Sequence, residues 1–112
     1  MLTNQLKEKI LSALLPLKPY KIILFGSYAY GTPNENSDID LYIVTNDEFI
    51  PQSFKEDSDI FLKYSSKLRD LQKNIPIDII THTKAMYRKF ISQESSFSKE
   101  ITQKGKVLWA KS

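Results

Sequence analysis

Tyr20-Lys21-Ile22-Ile23-Leu24-Phe25-Gly26-Ser27, followed after ten residues by Asp38-Ile39-Asp40-Leu41-Tyr42-Ile43-Val44, decides the reading of this chain. The first run is short and almost continuously apolar, which suits a strand buried on both faces, and Gly26-Ser27 stops it. The second run alternates and reads as another strand. Between them, Tyr28–Asn36 holds Gly31, Pro33 and two Asn, the composition of one short helical turn and then a loop.

Working outward, Leu6, Ile10, Leu14 and Leu17 recur at helical spacing, joined by Ala13. They predict an amphipathic helix over Thr3–Leu15, capped by Thr3 or Asn4 and ended by Pro16 and Pro19. Phe54, Phe61, Tyr64, Leu68 and Leu71 share one face of a helix predicted over Ser53–Lys73. Ile75-Pro76-Ile77-Asp78-Ile79-Ile80 reads as a third strand, with Pro76 near its start or on an edge. Lys84–Ile91 and Phe97–Gln103 look helical, Gly105 closes the second of these, and Val107-Leu108-Trp109 forms a last strand or an extended tail. The expected fold is a small α+β (α/β) domain, a mixed sheet with helices packed on one side, and one domain over residues 1–112.

Composition agrees. The chain has 112 residues, 41% of them apolar and 26% charged, a balance that excludes disorder as the main state. Without Cys there is no disulfide, thiolate metal site or cysteine nucleophile. Runs such as Ile22–Phe25 fall far short of the ~20 residues a membrane span needs. The first residues lack the basic and apolar regions of a signal peptide, so a cytoplasmic location is expected. The net charge of +3 divides into +2 over residues 1–37, −6 over 38–62 and +7 over 63–112. An acidic block in a basic chain suggests cation binding in the middle and anion contact elsewhere. Net charge gives no argument for nucleic acid as a direct substrate.

The chemistry gathers on two strands. Asp38 and Asp40 are two apart, so their side chains share a face, ~6.6 Å apart along the strand. Two carboxylates so close repel unless a cation neutralises them. Mg²⁺ suits the task, since it takes hard oxygen ligands and keeps positions for water and phosphate. Asp78 sits inside an apolar strand, where a lone carboxylate is costly unless paired or metal-bound. If the third strand lies beside the second, Asp78 completes a three-carboxylate cluster. Gly26-Ser27 after a strand offers backbone N–H groups, close approach and a hydroxyl to an anion. His82 reads as a surface or capping residue, Asp57 and Asp59 as first-turn acids, and Tyr28, Tyr42, Tyr64 and Trp109 as core or interface aromatics.

Phe25-Gly26-Ser27-Tyr28-Ala29-Tyr30-Gly31-Thr32 with Ser37-Asp38-Ile39-Asp40-Leu41 resembles the signature of minimal nucleotidyltransferase (MNT) domains of the DNA polymerase β superfamily. The resemblance spans residues 20–81 and implies that Gly26-Ser27 holds the triphosphate of an NTP. It further implies that Asp38, Asp40 and Asp78 hold two Mg²⁺ ions and carry catalysis. Tyr30 departs from the pattern, standing where many members have Arg, so this chain must meet the phosphate charge with another cation or do without.

The implied reaction transfers a nucleotidyl group, AMP from ATP, to an acceptor hydroxyl and releases pyrophosphate. Chains of this size resemble the antitoxin of HEPN/MNT toxin–antitoxin pairs, which modify a tyrosine of a HEPN ribonuclease; a HEPN-domain partner is therefore implied. Lys84, Arg88, Lys89, Lys99, Lys104 and Lys106 could face an acidic partner or form solvated surface. Two other readings stay open: an MNT-fold module that neutralises a HEPN partner by contact alone, and a transferase acting on an aminoglycoside-like small molecule. The base preference and the oligomeric state stay open too.

Overall fold

The computed structural model describes residues 2–33 and 37–111; the predicted loop over residues 34–36 lies outside them. Helix α1 (Asn4–Leu14) begins where the Thr3 hydroxyl accepts the Leu6 N–H at 3.1 Å, the N-cap bond that Thr favours. Pro16 lies in a tight turn, Leu15–Leu17, and Lys18 at φ 55° swings the chain into β1 (Lys21–Phe25). The turn α2 (Ser27–Tyr30) follows at once, and then β2 (Ile39–Val44).

The predicted helix over Ser53–Lys73 is two segments, α3 (Phe54–Lys67) and α4 (Arg69–Gln72). Ser53 caps α3 through the Glu56 N–H at 3.1 Å, and the backbone at Leu68 (φ −97°, ψ 0°) breaks the run. Tyr64 and Leu68 are buried, but Phe54, expected on the same apolar face, is 87% exposed. Phe54 lines an open hollow with Phe61 and with Ile79–His82 of β3 instead of packing into the core.

Strand β3 (Ile77–His82) starts just after Pro76 and occupies an edge, as expected. Helix α5 (Lys84–Ser92) and the short α6 (Ser96–Lys99) come next, and α6 runs into a π turn, Glu100–Lys104. Val107-Leu108-Trp109 proves to be a strand, β4 (Lys106–Ala110). Gly105 closes the π turn without a left-handed backbone, at φ −69°. What excludes a side chain there is space, because a Cβ would meet the Ile101 carbonyl and the Ile23 side chain.

The sheet order is β3-β2-β1-β4. β1 is antiparallel to β2 and β4, whereas β2 and β3 are parallel. A parallel pair needs a long crossover, which α3 and α4 supply. The mixed sheet matches expectation, but the expected one-sided helix cover does not. One core packs Ile10 and Leu14 of α1, and Tyr64 and Leu68 of α3 and its end, on Ile22, Leu24, Leu41 and Ile43. The other face carries a second core of Ile23, Tyr42, Val44 and Ile101 with Tyr87 and Phe90. The reason is visible in β1 and β2: both are apolar at successive positions, so both faces demand cover, at ~1.5–3 kcal/mol for each large side chain buried. Among the described residues no helix is long and apolar enough to cross a membrane.

Candidate active site

Parallel pairing sets Asp40 directly opposite Asp78. On its other side Asp40 is paired with Phe25, so the Gly26-Ser27 turn leaves the sheet beside it. Asp38 lies one residue before β2, at the same end of the sheet. All five residues singled out from sequence are therefore neighbours at one corner of the fold.

Their electrostatics record the crowding. The Asp78 carboxyl is held above its usual range first by a hydrogen bond with Asp38, then by partial burial and the Asp38 charge. The Asp40 carboxyl is raised by burial, then by the charges of Asp78, Asp38 and Glu100. Two carboxyls sharing a hydrogen bond must share a proton, unless a cation takes its place. Among the described residues the ion pairs are Lys55–Asp59, Lys73–Asp70, Lys84–Glu48 and Arg88–Glu48, and none reaches these three acids. Asp78 departs from expectation in one respect: it is exposed, not enclosed by the apolar residues beside it in sequence. Its face of β3 opens to solvent at the strand's first residues, so access rather than burial defines its position.

The donor set fits Mg²⁺. Among the described residues no three acidic or imidazole groups close into a ready cage for a metal. Mg²⁺ does not require one, since it keeps several waters and takes one or two carboxylates plus substrate phosphates.

Gly26 is needed twice over. Its φ of 77° belongs to the left-handed side of backbone space, and a Cβ on it would run into the Asp40 carboxylate. Ala29 and Tyr30 return their N–H groups to the Gly26 carbonyl at 2.9 and 3.1 Å, leaving the first amides of α2, on Ser27 and Tyr28, outside the helical pattern.

Two more side chains close the corner: Tyr30, noted in the sequence only as a departure from the family pattern, and Glu100, which sequence reading passed over. Tyr30 has its phenol raised by burial and by a hydrogen bond to Glu100, against a Gly26 backbone contact that lowers it. Glu100 thereby adds a fourth acid near Asp40. Nothing local marks Glu100, because only the π turn, packed against β1, brings it there.

Deeper on the same face, the Tyr42 hydroxyl and His82 Nδ1 share a hydrogen bond of 2.6 Å. Phe90 stacks on Tyr42 at 5.3 Å between centroids and meets His82 edge-on. His82 is thus a member of an aromatic cluster and not a surface cap, and burial lowers its pKa. Tyr42 and Tyr64 are buried, and Tyr28 and Trp109 pack on the first core, as expected. Asp57 lies in the first turn of α3 as expected, whereas Asp59 pairs with Lys55 at 2.8 Å. Lys84 and Arg88, two of the cations considered for a partner, both turn to Glu48.

Residues 5–108 match the nucleotidyltransferase domain family, and the chain belongs to it; it is a nucleotidyltransferase. Among its relatives are two proteins of Methanocaldococcus jannaschii. "Putative protein adenylyltransferase MJ0604" is 35% identical over 89 residues, covering 80% of this chain and 77% of that protein. Its counterpart MJ0141 is 33% identical over 94 residues, covering 84% and 90%. A toxin–antitoxin crystal structure with AMP-PNP aligns at a TM-score of 0.57 and 26% identity, over 94% of this chain and 73% of that one. A mutant of the toxin–antitoxin MntA-HpeT aligns at a TM-score of 0.55 and 22% identity over the same shares, a likeness of fold.

Proposed function

We propose that this chain transfers AMP from ATP to a hydroxyl of a partner protein, a tyrosine of a HEPN-domain toxin, and so acts as the antitoxin of the pair. The observation that carries this reading is the pairing of Asp40 with Asp78, with Asp38 hydrogen-bonded beside them and Gly26 against Asp40. The protein adenylyltransferase relatives and the toxin–antitoxin neighbours support the acceptor class.

In this reading Asp38, Asp40 and Asp78 would hold two Mg²⁺ ions, which would neutralise charge on the triphosphate and acidify the attacking hydroxyl. Gly26 and Ser27 receive the triphosphate on backbone amides and the Ser27 hydroxyl. The acceptor oxygen forms a bond to the α-phosphorus as the bond to the β-phosphate oxygen breaks, and pyrophosphate leaves. Asp78, exposed near the start of the edge strand β3, takes the hydroxyl proton. Such transfer depends on positioning and charge neutralisation more than on covalent help, which a domain over residues 1–112 can provide. In this reading the work is cytoplasmic, where ATP and Mg²⁺ are supplied.

The test is incubation with ATP labelled at the α-phosphate, Mg²⁺ and the protein encoded by the adjacent gene. Label is expected on that protein, and none with Asp38→Asn/Asp40→Asn. Tight binding of the partner without label would contradict transfer and leave neutralisation by contact.

A further inference from the structure

β3 is an edge strand, and part of its outer side is unpaired, with Ile79 half-buried and Thr81 7% exposed. Ile39 N–H donates to the Pro76 carbonyl at 3.0 Å and Thr45 N–H to the His82 carbonyl at 2.8 Å. Main-chain groups alternate along a strand, so residues 76, 78, 80 and 82 face β2 while Ile77, Ile79 and Thr81 face outward. Gln72 Nε2 covers the outward carbonyl of Ile77 at 2.7 Å. No hydrogen bond among the described residues takes up the outward N–H and C=O of Ile79 and Thr81.

The other edge is guarded. β4 carries Lys106 at its start and Lys111 just past its end, the usual defence against strand addition. β3 has no cation, and its one acid, Asp78, belongs to the site. Beside the open stretch lies a hollow of about 440 Å³, walled by Phe54 and Phe61 of α3 and by Met86 of α5. A second hollow continues from His82 and Met86 toward Ile50 and Phe90. Phe54 and Phe61, 87% and 40% exposed, thus flank unsatisfied main-chain groups instead of standing alone on the surface.

We infer that the acceptor segment of the partner docks here as an added β-strand, hydrogen-bonded to Ile79 and Thr81, with an apolar side chain against Phe54 and Phe61 and its tyrosine directed at Asp78. This deepens the proposed function and rests on it for the identity of the acceptor. The outward N–H and C=O groups alternate as only another extended backbone can match. Neighbouring strands lie ~4.8 Å apart, so a tyrosine beside Asp78 brings its hydroxyl within reach of the Asp40–Asp78 pair.

Amide exchange, measured by NMR on the complex with the adjacent-gene protein, tests the inference. The amides of Ile79 and Thr81 are expected to exchange at least about tenfold more slowly in the complex, with those of β4 unchanged. Thr81→Pro removes one outward donor and spares the ladder to β2; Phe54→Asp alters an exposed wall with no fold at stake. Each is expected to weaken the complex about tenfold or more. Unchanged exchange at residues 79 and 81 in a complex that forms, protection centred on β4, or failure of the two chains to bind would each overturn it. Edge protection without transfer of label supports the docking strand and contradicts the transfer. Label without edge protection does the reverse.

Discussion

Asp40 of β2 and Asp78 of β3 are register partners in a parallel pair whose strands are joined only through the α3–α4 crossover. Their proximity is a product of tertiary structure, and it sets a cost that the fold bears for its chemistry.

Both carboxyls have raised pKa values: Asp40 through burial and then the neighbouring acids, Asp78 through its hydrogen bond with Asp38 first. An acid raised in the folded state binds more protons there than when unfolded, so stability falls as pH rises from the ordinary Asp value of 3.8 through the raised one. That loss persists at neutral pH. Asp78→Asn is therefore expected to stabilise the protein at pH 7 by less than about 1 kcal/mol, since solvent screens the pair. It is also expected to lower nucleotidyl transfer by about a thousandfold or more. Thermal melts with pH and the labelling rate check both; a variant less stable than the parent at pH 7 contradicts the repulsion.

Gly26→Ala combines a strained backbone with a methyl group driven into the Asp40 carboxylate. The expected loss is about 1–3 kcal/mol of stability, together with most of the transfer activity. Ser27→Ala separates the two effects, keeping stability within about 0.5 kcal/mol while weakening ATP binding. Urea unfolding and nucleotide titration provide the comparison.

His82 predicts a pH response of its own. Burial holds its pKa below the ordinary 6.5, so the unfolded chain takes up a proton first as pH falls. Stability is then lost from about pH 6.5 downward until the folded-state His82 also protonates. In His82→Phe, melting temperature should vary less with pH between about 7 and 5 than in the parent. Equal slopes for the two proteins would contradict this.

Gly105→Ala places a Cβ against the Ile101 carbonyl and Ile23, although its backbone angles suit any residue. A loss of about 1–3 kcal/mol is expected from this overpacking, read as a lower urea midpoint with an unchanged slope.

Legibility from sequence followed the reach of each signal. The alternation of Asp38–Val44, the apolar run of Tyr20–Phe25 and the Gly26-Ser27 stop are local, and the elements they predict stand as β2, β1 and the turn into α2. Asp78 was recognisable because a carboxylate between two isoleucines is unusual, even though exposure and not enclosure explains it. Phe54 misled, since helical spacing records which residues share a face but not how closely the neighbouring elements pack against each of them. Glu100, the Tyr42–His82 hydrogen bond and the second core depend on how α5 and the π turn fold back over β1–β3. Gly105 was legible as the end of a helix, and only the packed neighbours reveal that crowding decides the residue there.

The central claim is that Asp38, Asp40 and Asp78 together hold divalent ions opposite the Gly26-Ser27 turn. Titration with Mn²⁺ in place of Mg²⁺, followed by electron paramagnetic resonance with a non-hydrolysable ATP analogue, counts those ions directly. Two ions are expected to bind the parent protein, both to be lost in Asp38→Asn/Asp40→Asn and the second in Asp78→Asn. Equal Mn²⁺ binding by parent and variants would contradict it.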